Sequence, residues 1–393
     1  MSSMAALPAS TWRGLRASPI GGILPVLVAL AAIWLFFGLR DPVFLSARNI
    51  YFLFMQSAVV ATVALGITVV LLIGEIDLSA AAVAGVSAAA MAVLSVDLGW
   101  PAPLACLAAL GIGTVIGVAQ GAIIALVGIP SFVVTLAGLL GFQGVMLKTL
   151  GEQGAMNVMD PFVRGITTIS LPPALGWIVA AACACIYGAA LVVQRLGRIR
   201  RGLAVASAAA TGGKLGVVLV LILGSAATLN AYRGVPLVVL ILLAMTLVLD
   251  FLTKRTPFGR AIFAIGGNAE SARRVGIAVP VIRIAAFGIV GLMAAVAGIF
   301  GASRYASVSF NAFAGGPLLL EAIGSAVIGG TSLFGGQGSV WNAILGALVI
   351  ESLGNGLDLS GAGAADKLMV SGAILLLAVA LDAVSRGNSP AKR

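Results

Sequence analysis

The chain consists mainly of long runs of apolar residues, rich in Ala, Gly, Val and Leu, which are separated by short polar segments. A run of about 20 such residues is long enough to cross the hydrocarbon core of a membrane as a helix. The runs lack the short alternating strands of a transmembrane barrel. The pattern predicts twelve spans, near residues 20–39, 51–73, 77–96, 103–127, 131–148, 173–194, 214–231, 234–252, 283–303, 318–332, 338–357 and 367–383.

We therefore predict an all-α fold, a polytopic membrane helix bundle with about 10–12 transmembrane helices and short loops. The transmembrane domain covers residues 20–385, between a cytoplasmic N-terminal segment, 1–19, and a cytoplasmic tail, 386–393. The first run is too long for the core of a cleaved signal peptide, so we keep it as a span. Glycines near 131–148 and 318–357 can instead mark re-entrant or broken helices, which leaves ten or eleven spans open.

Composition places the chain in a membrane and not in water. With 61% hydrophobic residues, 9% charged residues and a mean hydropathy of +1.15, it does not fit a water-soluble domain. Membrane topology accounts for most of the net charge of +10, because the segments predicted to lie in the cytoplasm hold most of the 23 Lys and Arg residues. We therefore predict a bacterial inner-membrane protein with both termini in the cytoplasm and no nucleic-acid partner.

The sequence lacks the residues of most enzymatic sites. It contains no histidine, and its three cysteines all fall within predicted spans, so we predict neither a metal site nor a nucleophile–histidine pair. Gly213-Lys214 lacks the glycine spacing of a phosphate-binding Walker loop. The inner connection near 254–282 is too short for a separate domain. We predict no enzyme activity and no bound cofactor; if ATP drives the protein, another subunit hydrolyses it.

The most specific loop of the sequence follows the predicted span 234–252. Its second half has the signals of a short helix, with Asn268 as the N-terminal cap, Glu270 in the first turn, Arg273 in the last turn and Gly276 in the left-handed position after it. A helix this short is stable only when it packs against something. The loop is either an interfacial connector or a docking element for a partner.

These residues resemble a known family. Glu270-x-Ala272 followed by Gly276 is similar to the Glu-Ala-Ala…Gly coupling loop of ABC importer permeases, with Ser271 in place of the usual second Ala. Further segments resemble, in the expected order, the branched family of sugar permeases that serve ribose, xylose, arabinose and galactose. They are residues 45–50, 74–79, 130–138, 328–336 and 338–339. Residues 230–236 and the extra hydrophobic element before them resemble the longer, xylose-type branch.

The resemblance implies a transmembrane permease subunit of an ATP-driven importer, which carries a monosaccharide, D-xylose or a related pentose, across the inner membrane. It also implies three partners: an ABC ATPase that binds ATP and Mg²⁺, a periplasmic sugar-binding protein, and a second copy of the chain. The ATPase would engage the loop within the cytoplasmic connection 254–282. The implied ATPase-coupling residues are Arg260, Asn268, Glu270, Ala272, Arg273 and Gly276.

An apolar passage needs polar side chains to bind sugar hydroxyls. The candidates for the translocation path or for gating are Gln56, Glu75, Asp77, Gln143, Asn311, Glu321, Ser325 and Thr331. Each can instead bond a neighbouring helix. Glu75 and Asp77 adjoin a break at which Asp77 or Ser79 can cap the next helix. Glu351 has no assigned role.

Two further interpretations concern movement and energy source. The glycine-rich stretch 329–338 lacks the basic partner of a nucleotide loop, so we predict a tight turn or re-entrant element that rearranges during transport. The main alternative function is an ion-coupled secondary transporter, in which Glu75, Asp77 and Glu321 would be coupling residues.

Overall fold

The computed structural model describes residues 24–205, 207–314 and 317–387, and nearly all of them are helical. Ten segments of this described part are long and apolar enough to span a membrane. The predicted all-α membrane bundle is therefore confirmed. The helices are α1 Leu24–Arg40, α2 Ala47–Leu72, α3 Ala80–Ala92, α4 Ala102–Ala122, α5 Ser131–Leu150, α6 Pro161–Thr168, α7 Pro173–Arg200, α8 Ala208–Asn230, α9 Leu237–Arg255, α10 Pro257–Gly267, α11 Ala269–Arg274, α12 Val279–Tyr305, α13 Phe310–Phe313, α14 Leu318–Ile328, α15 Val340–Leu359 and α16 Ala364–Gly387.

Irregular elements extend or join these helices. Val93–Asp97 continues α3 and Ile123–Val127 continues α4, each as a π-helical turn. Four short strands form two antiparallel pairs in the connections. They are β1 Ala155–Asn157 with β4 Ser307–Ser309, and β2 Ser170–Leu171 with β3 Val235–Pro236.

The core of the bundle forms around α2 and α12. Residues 57–72 of α2 are all buried. Helix α12 packs against α4 through glycine: a Cβ on Gly117 would lie 2.2 Å from the carbonyl oxygen of Phe287, and one on Gly291 would lie 2.0 Å from that of Gly113. A larger residue would push the two backbones apart, so small residues fix this helix pair.

Two predicted spans, 20–39 and 367–383, are not among the ten spanning segments found in the described residues. The predicted start of the first, at residue 20, lies outside the described residues, because α1 is described only from Leu24. The span predicted at 318–332 is helical only as far as Ile328, and the four-residue helix α13 precedes it. By contrast, the segment near 131–148 forms one continuous helix, α5.

The two ends of the bundle differ in structure. At one end, which we call the loop end, α10 and α11 follow α9. At the other, the far end, both strand pairs and α6 tie the connections together; Tyr51 Oη lies 2.6 Å from Ser170 Oγ, and Thr167 Oγ1 lies 2.8 Å from Ser303 Oγ. Apolar runs do not predict α6 or the strands, because these elements are too short to form a run.

Candidate functional site

Helix α11, at the loop end, has the capping that the sequence predicts. The Asn268 side chain accepts a hydrogen bond from the backbone N–H of Ser271 at 2.8 Å. Glu270 in the first turn pairs with Arg274 in the last turn, with 3.3 Å between Oε1 and Nε. Gly276 follows with a φ of +86°, the left-handed region that glycine favours.

One face of α11 is exposed on the surface of the described structure. Ala272 is its single buried residue and packs inward, whereas the predicted coupling residues Glu270, Arg273 and Gly276 are exposed. Val275, directly after the helix, is 77% exposed and adds an apolar group to this surface. An exposed face with both charged and apolar groups can bind a partner protein.

Backbone atoms of three separate segments meet beside this loop, in what we call the glycine junction: Leu72, Gly74, Gly266, Gly335 and Gly336. The Gly336 N–H donates a hydrogen bond to the carbonyl of Leu72 at 3.0 Å. A Cβ on Gly266 would lie 1.9 Å from that oxygen and 2.4 Å from the Gly336 nitrogen, and a Cβ on Gly335 would lie 2.8 Å from the Gly74 nitrogen. The ends of α2 and α10 and the glycine-rich loop are thus in direct contact.

Glu75 comes directly after this junction and pairs with Arg283 in α12. The distance between Glu75 Oε1 and Arg283 Nη2 is 2.9 Å, and the side chains are 14% and 26% exposed, respectively. Arg283 Nε is buried without a hydrogen-bond partner among the described residues. The sequence indicates Glu75 as a candidate but not Arg283, because the two residues lie far apart in the chain.

Asp77 caps the start of α3. Its Oδ1 accepts hydrogen bonds from the backbone N–H and the hydroxyl of Ser79, both at 2.7 Å, and its carboxylate also accepts one from the Ala80 backbone. Burial raises the pKa of Asp77, and these hydrogen bonds oppose that rise. Of the two predicted caps, Asp77 fills the role, whereas the Ser79 hydroxyl bonds Asp77 and the Gln120 side chain of α4.

The same break is joined to α5. The Ile76 N–H donates to Ser131 Oγ at 3.3 Å. The Thr135 hydroxyl, which is 2.9 Å from the Ser131 carbonyl oxygen, also lies 3.4 Å from that of Ile76. Residues 75–79, which we call the polar break, therefore connect α2 and α3 to α4, α5 and α12. These polar contacts join the end of α2 to three other helices.

Toward the far end, four polar side chains from four helices form what we call the far-end cluster: Gln56, Arg304, Glu321 and Glu351. Glu351 is 5% exposed, and its carboxyl group hydrogen-bonds the Gln56 side chain. Glu321 and Arg304 lie close enough for their charges to act on Glu351. The structure thus joins two predicted path residues, Gln56 and Glu321, to two that sequence reasoning had not selected.

A small cavity reaches this cluster between α14, α15 and α16. It has a volume of about 70 Å³, and Glu321 lines it together with Ile350, Leu353 and Ser371. Carboxylates inside a membrane are costly unless they face protein or water, and they commonly mark sites for substrates or ions.

The remaining candidates lie apart from one another. Gln143 of α5 donates to the carbonyl of Ala314 at 2.6 Å, which ties α5 to the connection before α14. Asn311 is exposed in α13, within that connection. The Ser325 hydroxyl donates to the Glu321 carbonyl at 2.6 Å within α14. Thr331 is buried, and its hydroxyl has no hydrogen-bond partner in the described part of the chain.

Comparisons with known proteins agree with the resemblance seen in the sequence. The family described as "Branched-chain amino acid transport system / permease component" matches residues 49–379. The xylose transport system permease protein XylH of Escherichia coli is 38% identical over 93% of this chain and 93% of its own. XylH of Haemophilus influenzae is 34% identical, over 91% and 95%.

A more distant relative is the autoinducer 2 import system permease protein LsrC of Salmonella typhi, which is 28% identical over 91% of this chain and 84% of its own. No solved structure matches the chain. The family match covers most of the sequence, including the core helices, the polar break and the loop end. The chain therefore belongs to this family of ABC transport-system permease components and is a multi-pass membrane transport subunit, not an enzyme.

Proposed function

We propose that the chain imports a pentose, D-xylose or a close relative, as the permease of an ATP-driven complex. Two relatives with 38% and 34% identity over more than nine-tenths of the chain are named xylose permeases, which supports this substrate class. LsrC, at 28% identity, is named for autoinducer 2 import, so the wider family does not share one substrate.

The glycine junction is the observation that supports coupling of this chain to an ATPase. A partner ATPase that binds the exposed face of α11 would move α10, and Gly266 at its end lies against both Leu72 and Gly336. Because these contacts are between backbone atoms, no flexible side chain absorbs the movement. When the ATPase closes, movement of α10 would therefore act directly on α2 through the contact between Gly266 and Leu72. Among the ten spanning segments described, α2 is the most extensively buried.

The polar break is the proposed gate at the loop end. The Glu75–Arg283 pair links the residue after the junction to α12, and Asp77 holds the start of α3. A shift of α2 therefore either carries α3 and α12 with it or separates the ion pair. Either outcome changes the helix arrangement around the loop end.

The far-end cluster is the proposed polar part of the sugar path. Carboxylate and amide groups such as those of Glu321, Glu351 and Gln56 accept and donate hydrogen bonds to hydroxyls, and Arg304 balances the acidic charge. We place the far end in the periplasm, where a sugar-binding protein delivers the substrate, and the loop end with both termini in the cytoplasm. As the resemblance implies, a second copy of the chain completes the passage, and ATP and Mg²⁺ bind the ATPase alone.

Reconstitution of the complete complex into vesicles tests the proposal. The vesicles contain the permease, the ATPase and the binding protein, and uptake of radiolabelled D-xylose, D-ribose, L-arabinose and leucine is measured with and without ATP. We expect ATP-dependent uptake of a pentose and none of leucine. Uptake driven by an ion gradient without ATPase would support the secondary transporter, and uptake of leucine alone would exclude a sugar substrate.

A further inference from the structure

Helices α7 and α8 pack against each other as a hairpin, and α8 also contacts α2. The few buried residues of the hairpin lie toward the far end, where a Cβ on Gly176 would lie 2.3 Å from the Asn230 side chain and where Ala226 and Leu229 are buried. Elsewhere its apolar side chains are largely exposed; Val220, for example, is 71% exposed. The other end of the hairpin, which we call its tip, therefore has room for a ligand.

The tip is strongly basic. The sequence contains no acidic residue between Asp160 and Asp250. Within that stretch, the hairpin tip holds Arg195, Arg198, Arg200, Arg201 and Lys214. No ion pair of the described residues involves any of these five side chains. Their positive charge is therefore available to a negatively charged ligand.

An open cleft of about 210 Å³ lies between the two helices beside these charges. Leu191, Val192 and Leu215 form apolar walls, and Arg195 also lines the cleft. A Cβ on Gly212, which also lines the cleft, would meet no atom within 4 Å, so this glycine does not serve close packing within the chain. The cleft thus combines an apolar floor with a cationic edge.

The distribution of Lys and Arg across a membrane accounts for basic residues at this end of the hairpin, but it does not account for an open apolar cleft beside them. A soluble anion such as phosphate would not use the apolar walls. A neutral lipid would not use the arginines. One ligand with both an acyl chain and an anionic head group fits both features.

We propose that the tip cleft binds an anionic phospholipid, with an acyl chain between α7 and α8 and the phosphate at Arg195 and Arg198. The bound lipid would join the two helices at the end where their described apolar side chains are largely exposed. This site is separate from the proposed sugar path, so it does not depend on which sugar is carried.

Native mass spectrometry of the purified full-length protein in detergent tests this site, with phosphatidylglycerol and phosphatidylcholine as probes. We expect selective retention of phosphatidylglycerol. In the double variant Arg195→Gln/Arg198→Gln, its affinity should fall by roughly 25-fold, since each basic residue near a head group contributes about fivefold. The matched control is Arg48→Gln/Arg164→Gln, which removes two exposed far-end arginines and should retain the lipid as the unaltered protein does.

A second variant, Gly212→Leu, fills the cleft without changing any charge and should also weaken phosphatidylglycerol binding. The proposal is overturned if both lipids are retained equally, if the far-end control loses as much affinity as the tip variant, or if Gly212→Leu binds as well as the unaltered protein. That last result would mean that the charges attract lipid head groups without a site. Melting temperatures measured without added lipid confirm that each variant is folded.

Discussion

At the loop end, single residues are enough to predict a short helix from the sequence. The order Asn268, Glu270, Arg273 and Gly276 predicts a capped helix, because each residue satisfies a different need of a helix terminus. The structure has the predicted Asn268 cap and the left-handed Gly276. Glu351 gave no such signal, since its hydrogen-bond partner Gln56 is almost 300 positions away in the sequence.

Replacing Gly276 with Val should uncouple ATP hydrolysis from uptake. At a φ of +86° a β-branched residue costs about 1–3 kcal/mol of backbone strain, although there is space for its Cβ. Uptake and ATPase association are measured in the reconstituted complex, and both should fall while membrane insertion is normal. The matched control is Gly361→Val, which has a φ of +73°, the same open space and a position away from the loop. Equal losses in both variants would mean that strain alone, not coupling, is responsible.

Replacing Glu351 with Gln tests the far-end cluster. The substitution keeps the size of the side chain but replaces its carboxyl group with an amide, which changes the hydrogen bonds it can make beside Gln56, Arg304 and Glu321. If the cluster binds sugar hydroxyls, a hydrogen-bonding group left without its partner lowers pentose uptake by about tenfold. The ATPase should still associate, because the loop is untouched. Uptake matching that of the control Glu152→Gln, an exposed residue, would leave Glu351 with a packing role only.

At the scale of elements, hydrophobic runs predict the spanning helices well, because membrane thickness sets their length. Contacts between elements are not predicted in this way. Leu72, Gly266 and Gly336 are far apart in sequence, and each glycine has a plausible local explanation as a turn or helix end. Their meeting depends on the packing of α2, α10 and the glycine-rich loop, which no local pattern encodes. The Glu75–Arg283 pair was not predicted for the same reason, because it joins two segments that are distant in the sequence.

Replacing Gly266 with Ala should disturb transport while leaving the docking surface intact. The added Cβ would lie 1.9 Å from the Leu72 carbonyl oxygen, so α10 and α2 must separate. We expect the ATPase to bind normally and to hydrolyse ATP, with pentose uptake lowered severalfold. Gly267→Ala is the control, because a Cβ there meets no atom within 4 Å. Normal uptake by the Gly266 variant would show that the junction does not transmit movement.

For the whole molecule, the asymmetry of Lys and Arg predicts which end faces the cytoplasm. The structure separates the loop end from the far end, and cysteine labelling tests which of the two faces the cytoplasm. Single cysteines at Ser271 and Gln153, both exposed, report on the two ends. In a background without Cys106, Cys183 and Cys185, a membrane-impermeant thiol reagent added to intact spheroplasts should label Gln153→Cys and not Ser271→Cys. The reverse pattern would invert the proposed topology.

The β2–β3 pair has a consequence for the history of this protein. Leu171 lies beside Val235, so the chain leaves for the α7–α8 hairpin and returns at the same place. The hairpin has the geometry of an insertion: its two ends lie side by side, so a tight turn can join the flanking segments in its place.

Because the insertion contains two crossings, an even number, its removal leaves every later segment on its original side of the membrane. A reporter fused to the C-terminus should therefore give the same orientation with and without residues 174–233, whereas deletion of α8 alone should reverse it. An identical orientation in all three proteins would mean that local charge, not the number of crossings, fixes the later helices. A lineage could thus gain or lose the whole hairpin in one genetic event and keep a working arrangement of the remaining helices.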